Sequence, residues 1–216
     1  SSAYVVDGTL DSTTISLRSA ALYNECIIVP ADITTYNNSA FDEFFLIELF
    51  TDDANNKHDW STYISSIQKA GIRLYHVDAR LYDSINEQEV FDKEHLEYLN
   101  NSGYYSHVDV GVNNSYNYND YAVPGNPQWF DYKLLALIQK GGTDTFGDPD
   151  NNHGDVDFLS TADLFRTGDK FTFDKYKHFL SKMGAKVTKM DNGETFPYTI
   201  EFISVNKQEA VIKFSK

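Results

Sequence analysis

The run Phe44-Phe45-Leu46-Ile47-Glu48-Leu49-Phe50 is the strongest structural signal in the chain. It is too continuously apolar for a strand with one wet face, which would alternate at period two. It is predicted to be a central strand covered on both sides, which commits the chain to a layered β architecture. Glu48 interrupts this run. A carboxylate in a buried strand needs a partner, a metal or a proton. Otherwise Glu48 faces the edge of the sheet.

Other segments extend the pattern. Ala3-Tyr4-Val5-Val6, Thr14-Ile15-Ser16-Leu17 and Cys26-Ile27-Ile28-Val29 read as short strands, with turns at Asp7-Gly8 and near Asn24 and a stop at Pro30. Ile72-Arg73-Leu74-Tyr75-His76-Val77 is a further strand closing on Asp78, and Tyr132 to Gln139 reads as a second buried one. Tyr198 to Phe214 is predicted to be a closing hairpin with its turn near Asn206. Helical spacing is weaker: a short helix over Trp60 to Lys69, one or two turns within residues 86–99, and a helix or extended stretch from Asp174 to Met183. The fold class expected is mainly β, a sandwich of antiparallel or mixed sheets with one to three short helices and long loops. Residues 1–216 are read as one domain, with residues 1–40 a strand-rich lead-in.

Composition limits the partners. The net charge of −14 repels phosphate backbones, so nucleic acid is not expected, and neither is an anionic membrane surface. No apolar run reaches the length of a membrane span, so no membrane insertion is expected. A field of this sign also favours cations, calcium among them. The single cysteine, Cys26, permits no intrachain disulfide and no cysteine-based zinc site, and its apolar neighbours place it in the core. No signal peptide is read at the start. The chain begins at Ser, so it is read as an excised or processed segment.

The commonest zinc-peptidase motif, HExxH, places two imidazoles one helical turn apart with a general-base Glu directly after the first. The six histidines are followed by Asp59, Val77, Leu96, Val108, Gly154 and Phe179, so the motif is absent from this sequence. Zinc is therefore not expected. Neither a phosphate-binding glycine loop nor a GxSxG nucleophile elbow occurs. His76 and Asp78 end a predicted strand and project to one face at period two. Such a pair can share a metal, orient an imidazole, or form a plain hydrogen bond at a strand end. If the chain hydrolyses anything, Glu48, His76 and Asp78 are the catalytic candidates.

Asp148, Asp150, Asn152, Asp155 and Asp157 crowd one Gly- and Pro-containing loop. Hard oxygens on a short flexible segment suit calcium, but the sixth position counted from Asp148 is His153, where an EF-hand needs Gly. The loop is an irregular calcium candidate or a solvated turn. Residues 100–128 are rich in Asn, Tyr, Gly and Ser. Tyr104, Tyr105, Tyr116, Tyr118 and Trp129 could stack on sugars or simply cover loops. They define the alternative reading, an extracellular glycan- or protein-binding β-sandwich.

Four segments carry a further signal, at residues 43–49, 71–78, 135–141 and 152–168. In this order they resemble the secreted bacterial metalloproteases of the immune inhibitor A type. Glu43-Phe44-Phe45-Leu46-Ile47-Glu48-Leu49 is similar to that family's "EYFLLENR", and Gly71-Ile72-Arg73-Leu74-Tyr75-His76-Val77-Asp78 to its "GLLIWHVD". Leu135-Ala136-Leu137-Ile138-Gln139-Lys140-Gly141 resembles "VALIQADG". Asn152, Gly154-Asp155 and Asp163-Leu164-Phe165-Arg166-Thr167-Gly168 resemble the following "N-x-GD…DLF-x-G" stretch. The likeness covers roughly residues 40–215. Two positions depart from it: Tyr75 stands where the family has Trp, and Leu49-Phe50 where it has Arg after the buried Glu. The resemblance implies a secreted or cell-surface bacterial protein and the downstream, β-rich part of the protease module, without its zinc ligands. Glu48, His76 and Asp78 would then lie near the former catalytic cleft. The function expected is a non-catalytic or incomplete metalloprotease-like module whose partner is a protein, a peptide or a glycan at the cell surface.

Overall fold

Two sheets face each other across one aromatic-rich core. The computed structural model describes residues 2–38, 40, 42–54, 56, 70–79, 81–83, 88–90, 135–143, 161–180 and 187–216. Strands β1 (Ser2–Val5), β3 (Glu25–Val29), β4 (Glu43–Phe50), β5 (Gly71–Asp78) and β8 (Leu135–Leu137) form the first sheet, in the order β1-β3-β4-β5-β8. Strands β2 (Ser12–Arg18), β9 (Lys170–Thr172), β10 (Thr199–Val205) and β11 (Glu209–Ser215) form the second, in the order β2-β11-β10-β9. A separate hairpin joins β6 (Leu81–Asp83) and β7 (Gln88–Val90). The fold is thus mainly β and sandwich-like, as the strand patterns predict.

The second sheet is wholly antiparallel. The first is mixed: β1 runs parallel to β3, and its other pairings are antiparallel. The parallel pair follows from the chain path. Between β1 and β3 the chain crosses to the other sheet as β2 and returns, so β3 can enter the first sheet running the same way as β1. At the first crossing Asp7 Oδ1 accepts the Thr9 N–H at 2.9 Å, closing a turn over Gly8. A Cβ there would stand 2.6 Å from the Tyr198 hydroxyl, so a larger residue would have to displace that side chain. At the second crossing a four-residue helix, α1 (Ala20–Tyr23), ends on Asn24, whose φ of 54° is a left-handed cap.

As predicted, β4 is central, between β3 and β5. Its odd-numbered residues Phe45, Ile47 and Leu49 face the sandwich interior, with Leu74 and Ile72 beside them on β5. Opposite lie Leu17, Ile200, Phe202, Ile212 and Phe214 of the second sheet. Phe45 packs against Phe171 and Phe196 with ring centroids 5.0 and 4.7 Å away. Burial of such rings is the main stabilising term, at about 25 cal/mol per Å² of apolar surface.

The closing hairpin forms as expected. Asn206 holds its turn by accepting the Gln208 and Glu209 N–H groups at 2.8 and 3.1 Å. Three segments refine or correct the sequence reading. Within the 86–99 segment, where one or two helical turns are expected, residues 88–90 are extended and pair with Leu81–Asp83, and residues 91–99 lie outside the described residues. The 174–183 segment starts as helix α2 (Phe173–Tyr176) and tightens into a 3-10 turn over Lys177–Phe179. Of the expected strand over 132–139, only Leu135–Leu137 is strand; residues 132–134 lie outside the described residues. So do the expected helix at 60–69 and the segments 91–128 and 144–160.

Candidate functional site

Parity along β4 and β5 decides which polar side chains meet. On β5 the even-numbered residues Ile72, Leu74, His76 and Asp78 are buried in the interior. His76 and Asp78 therefore share a face, as period two requires. On β4 the interior face carries Phe45, Ile47, Leu49 and, at the strand's start, Glu43. The register sets Glu43 opposite Asp78 and Phe45 opposite His76, so Glu43 and His76 are diagonal neighbours.

Glu43 Oε1 lies 2.7 Å from His76 Nε2, and both side chains are fully buried. The same carboxylate accepts two backbone donors from a distant turn, Asp191 N–H on Oε1 at 2.8 Å and Asn192 N–H on Oε2 at 2.6 Å. That turn is closed by Gly193 N–H to the Met190 carbonyl at 2.9 Å, with Gly193 at a φ of 86°. Asn192 Oδ1 steadies it further by accepting the Glu194 N–H at 2.9 Å. A carboxylate only accepts, so the Glu43–His76 contact is made by an Nε2–H. The other ring nitrogen, Nδ1, is buried and has no hydrogen-bond partner among the described residues. The His76 ring also rests against Phe45, centroids 5.4 Å apart.

A third potential ligand completes the group. One ligand atom each from Glu43, His76 and Asp191 lies within 4.8 Å of the other two. Two more buried carboxylates stand close in the chain: Asp78, across from Glu43, and Asp42, whose Oδ1 accepts the Glu43 N–H at 2.8 Å. The end of the first sheet is thus strongly electronegative, with one imidazole at its centre.

Glu48 is not part of this group. It has the opposite parity and points to the outer face, where Arg73, directly across the register, donates to it at 3.1 Å. Arg73 also lies over the Phe50 ring, 4.0 Å from its centroid. The partner that a carboxylate in this strand needs is therefore a cross-strand arginine. The outer face is itself well shielded: burial pushes the Tyr75 phenol up to about 12. Cys26, expected in the core, is instead half-buried on this outer face because its parity is opposite to that of Ile27, and burial, followed by the nearby Glu48 charge, pushes its thiol up, away from nucleophile chemistry.

Of the three catalytic candidates, His76 and Asp78 thus share the interior face and Glu48 lies across the sheet. Sequence reasoning missed Glu43, Asp191 and Asn192. Glu43 could have been found, since it shares parity with the interior residues of β4. Asn192 acts through its backbone N–H, which leaves no mark in a sequence. The calcium candidates Asp148, Asp150, Asn152, Asp155 and Asp157 fall outside the described residues, as do Tyr104, Tyr105, Tyr116, Tyr118 and Trp129. Comparison with family models, with curated proteins and with solved structures found no match.

Proposed function

We propose that the chain is a metalloprotease-like module of the immune inhibitor A type from an exported bacterial protein, without zinc peptidase activity of its own. The observation that supports this reading is the use made of His76. In the segment that resembles the family's "GLLIWHVD", the imidazole is turned inward, fully buried, and hydrogen-bonded to Glu43. Glu43 in turn holds the backbone of the 190–193 turn. A general base must reach a substrate or a water. This pair instead joins two parts of the fold, which suits a module that supports or binds rather than cleaves. The absence of HExxH from the sequence points the same way.

The test is hydrolysis of labelled casein by the purified chain, with zinc added and with a chelator added. The expected result is no chelator-sensitive cleavage above buffer. Cleavage that the chelator abolishes, and that His76→Ala also abolishes, would overturn the reading.

A further inference from the structure

We propose that Glu43, His76 and Asp191 bind a divalent transition ion of the zinc class, which fastens the 190–193 turn to the end of the first sheet. The expectation from sequence named calcium, in the 148–157 loop, and no zinc. The cluster described here is elsewhere and has different chemistry.

Three observations carry the proposal. The first is proximity: one oxygen from each carboxylate and one ring nitrogen lie within 4.8 Å of one another. Zinc takes carboxylate oxygens and imidazole nitrogens at about 2.0–2.2 Å, so the ligands need only small adjustments to share an ion. The second is burial. Glu43 and His76 are fully buried, so an ion there would be held in a low-dielectric setting where charge pairing is strong. The third is the state of His76. Its ring is buried and its Nδ1 has no hydrogen-bond partner among the described residues, so the protein itself does not use up the polar capacity of this imidazole.

Binding then balances simply. The ion takes the lone pair of one ring nitrogen of a neutral His76, and the other ring nitrogen carries the N–H. No redox change or co-reactant is required. The Asp191 and Asn192 N–H groups remain on Glu43 and act as outer partners that orient the carboxylate. An imidazole ligand selects zinc over calcium, which prefers six to eight oxygens.

The experiment uses the whole chain, stripped with chelator, dialysed against zinc with excess calcium present, and measured by elemental mass spectrometry. Wild type should retain about one zinc per chain, and its cobalt(II) form should show the visible bands of a low-coordinate nitrogen and oxygen site. Asp191→Asn, at a half-buried turn position, should weaken zinc binding by about tenfold or more. His76→Gln should do the same. If His76→Gln does not fold, Asp191→Asn alone decides. Failure of the wild type to retain zinc overturns the proposal. So does equal retention by Asp191→Asn, which would place the ion on other histidines or carboxylates. Neither outcome depends on whether the chain cleaves peptides.

Discussion

Replacing Glu43 by Gln keeps the shape of the side chain and removes one acceptor oxygen. In the metal-free protein three donors converge on the two oxygens: His76 Nε2–H, Asp191 N–H and Asn192 N–H, at 2.7, 2.8 and 2.6 Å. A glutamine can accept at one end only. Its amide NH2 must face either Asn192 N–H or the other two donors, so at least one buried donor loses its partner and meets another donor. Hydrogen bonds to a charged group contribute roughly 1.5–3 kcal/mol each, and an unsatisfied buried donor costs about 1–3 kcal/mol. The expected loss is therefore about 3 kcal/mol. For a chain of this size that corresponds to a drop in Tm of about 6–12 °C. Urea titration should show a lower midpoint with an unchanged slope, the mark of lost stability rather than altered compactness. Glu48→Gln is the matched control. It breaks a cross-strand pair in which each side chain keeps about a quarter of its exposure (22% for Arg73 and 23% for Glu48), so it should cost about 1 kcal/mol or less. A Glu43→Gln variant within about 0.5 kcal/mol of wild type, or a Glu48→Gln variant equally destabilised, would refute the reasoning.

Two further predictions rest on other parts of the fold. Glu25 is buried and accepts from the Arg18 side chain and from the Arg18 N–H at 2.9 Å; the Arg18 hydrogen bond holds its carboxyl below the usual range. A depressed folded pKa gives stability that is present above the unfolded value and lost as pH falls through the folded one. Glu25→Gln should accordingly be less stable at neutral pH and lose less between pH 5 and 3 than wild type, and parallel losses in acid would contradict this. Gly71→Ala places a Cβ 2.6 Å from Leu164 Cβ and 2.7 Å from its Cδ1. It should destabilise by about 1–3 kcal/mol in urea, and adding Leu164→Ala should not restore the loss, because the nearer clash is with an atom that alanine retains.

How much of this was legible in the sequence follows from what period two can and cannot encode. The strands at 14–17, 26–29, 43–50 and 199–215 announce themselves by alternation or by continuous apolar runs, because short-range patterning is what forms them. The same continuity hides the site. Phe44, Phe50 and their odd-numbered neighbours are apolar on both faces of β4, so the pattern cannot say which face is the sandwich interior. Glu43 and Glu48 differ in parity, and only the position of the second sheet makes one an interior acceptor and the other an outer-face partner of Arg73. Asp191 and Asn192 are further out of reach, since they meet Glu43 from 148 and 149 residues away through main-chain donors any residue could supply. Their position explains why the contact matters. The 190–193 turn leads directly to Phe196 and Tyr198, both in the core, and then into β10. By gripping the turn, Glu43 fixes where the connection enters the closing hairpin. The His76–Glu43 pair therefore ties the end of the first sheet to the turn that leads into the second, a contact that requires no substrate and that an ion at the same point would reinforce.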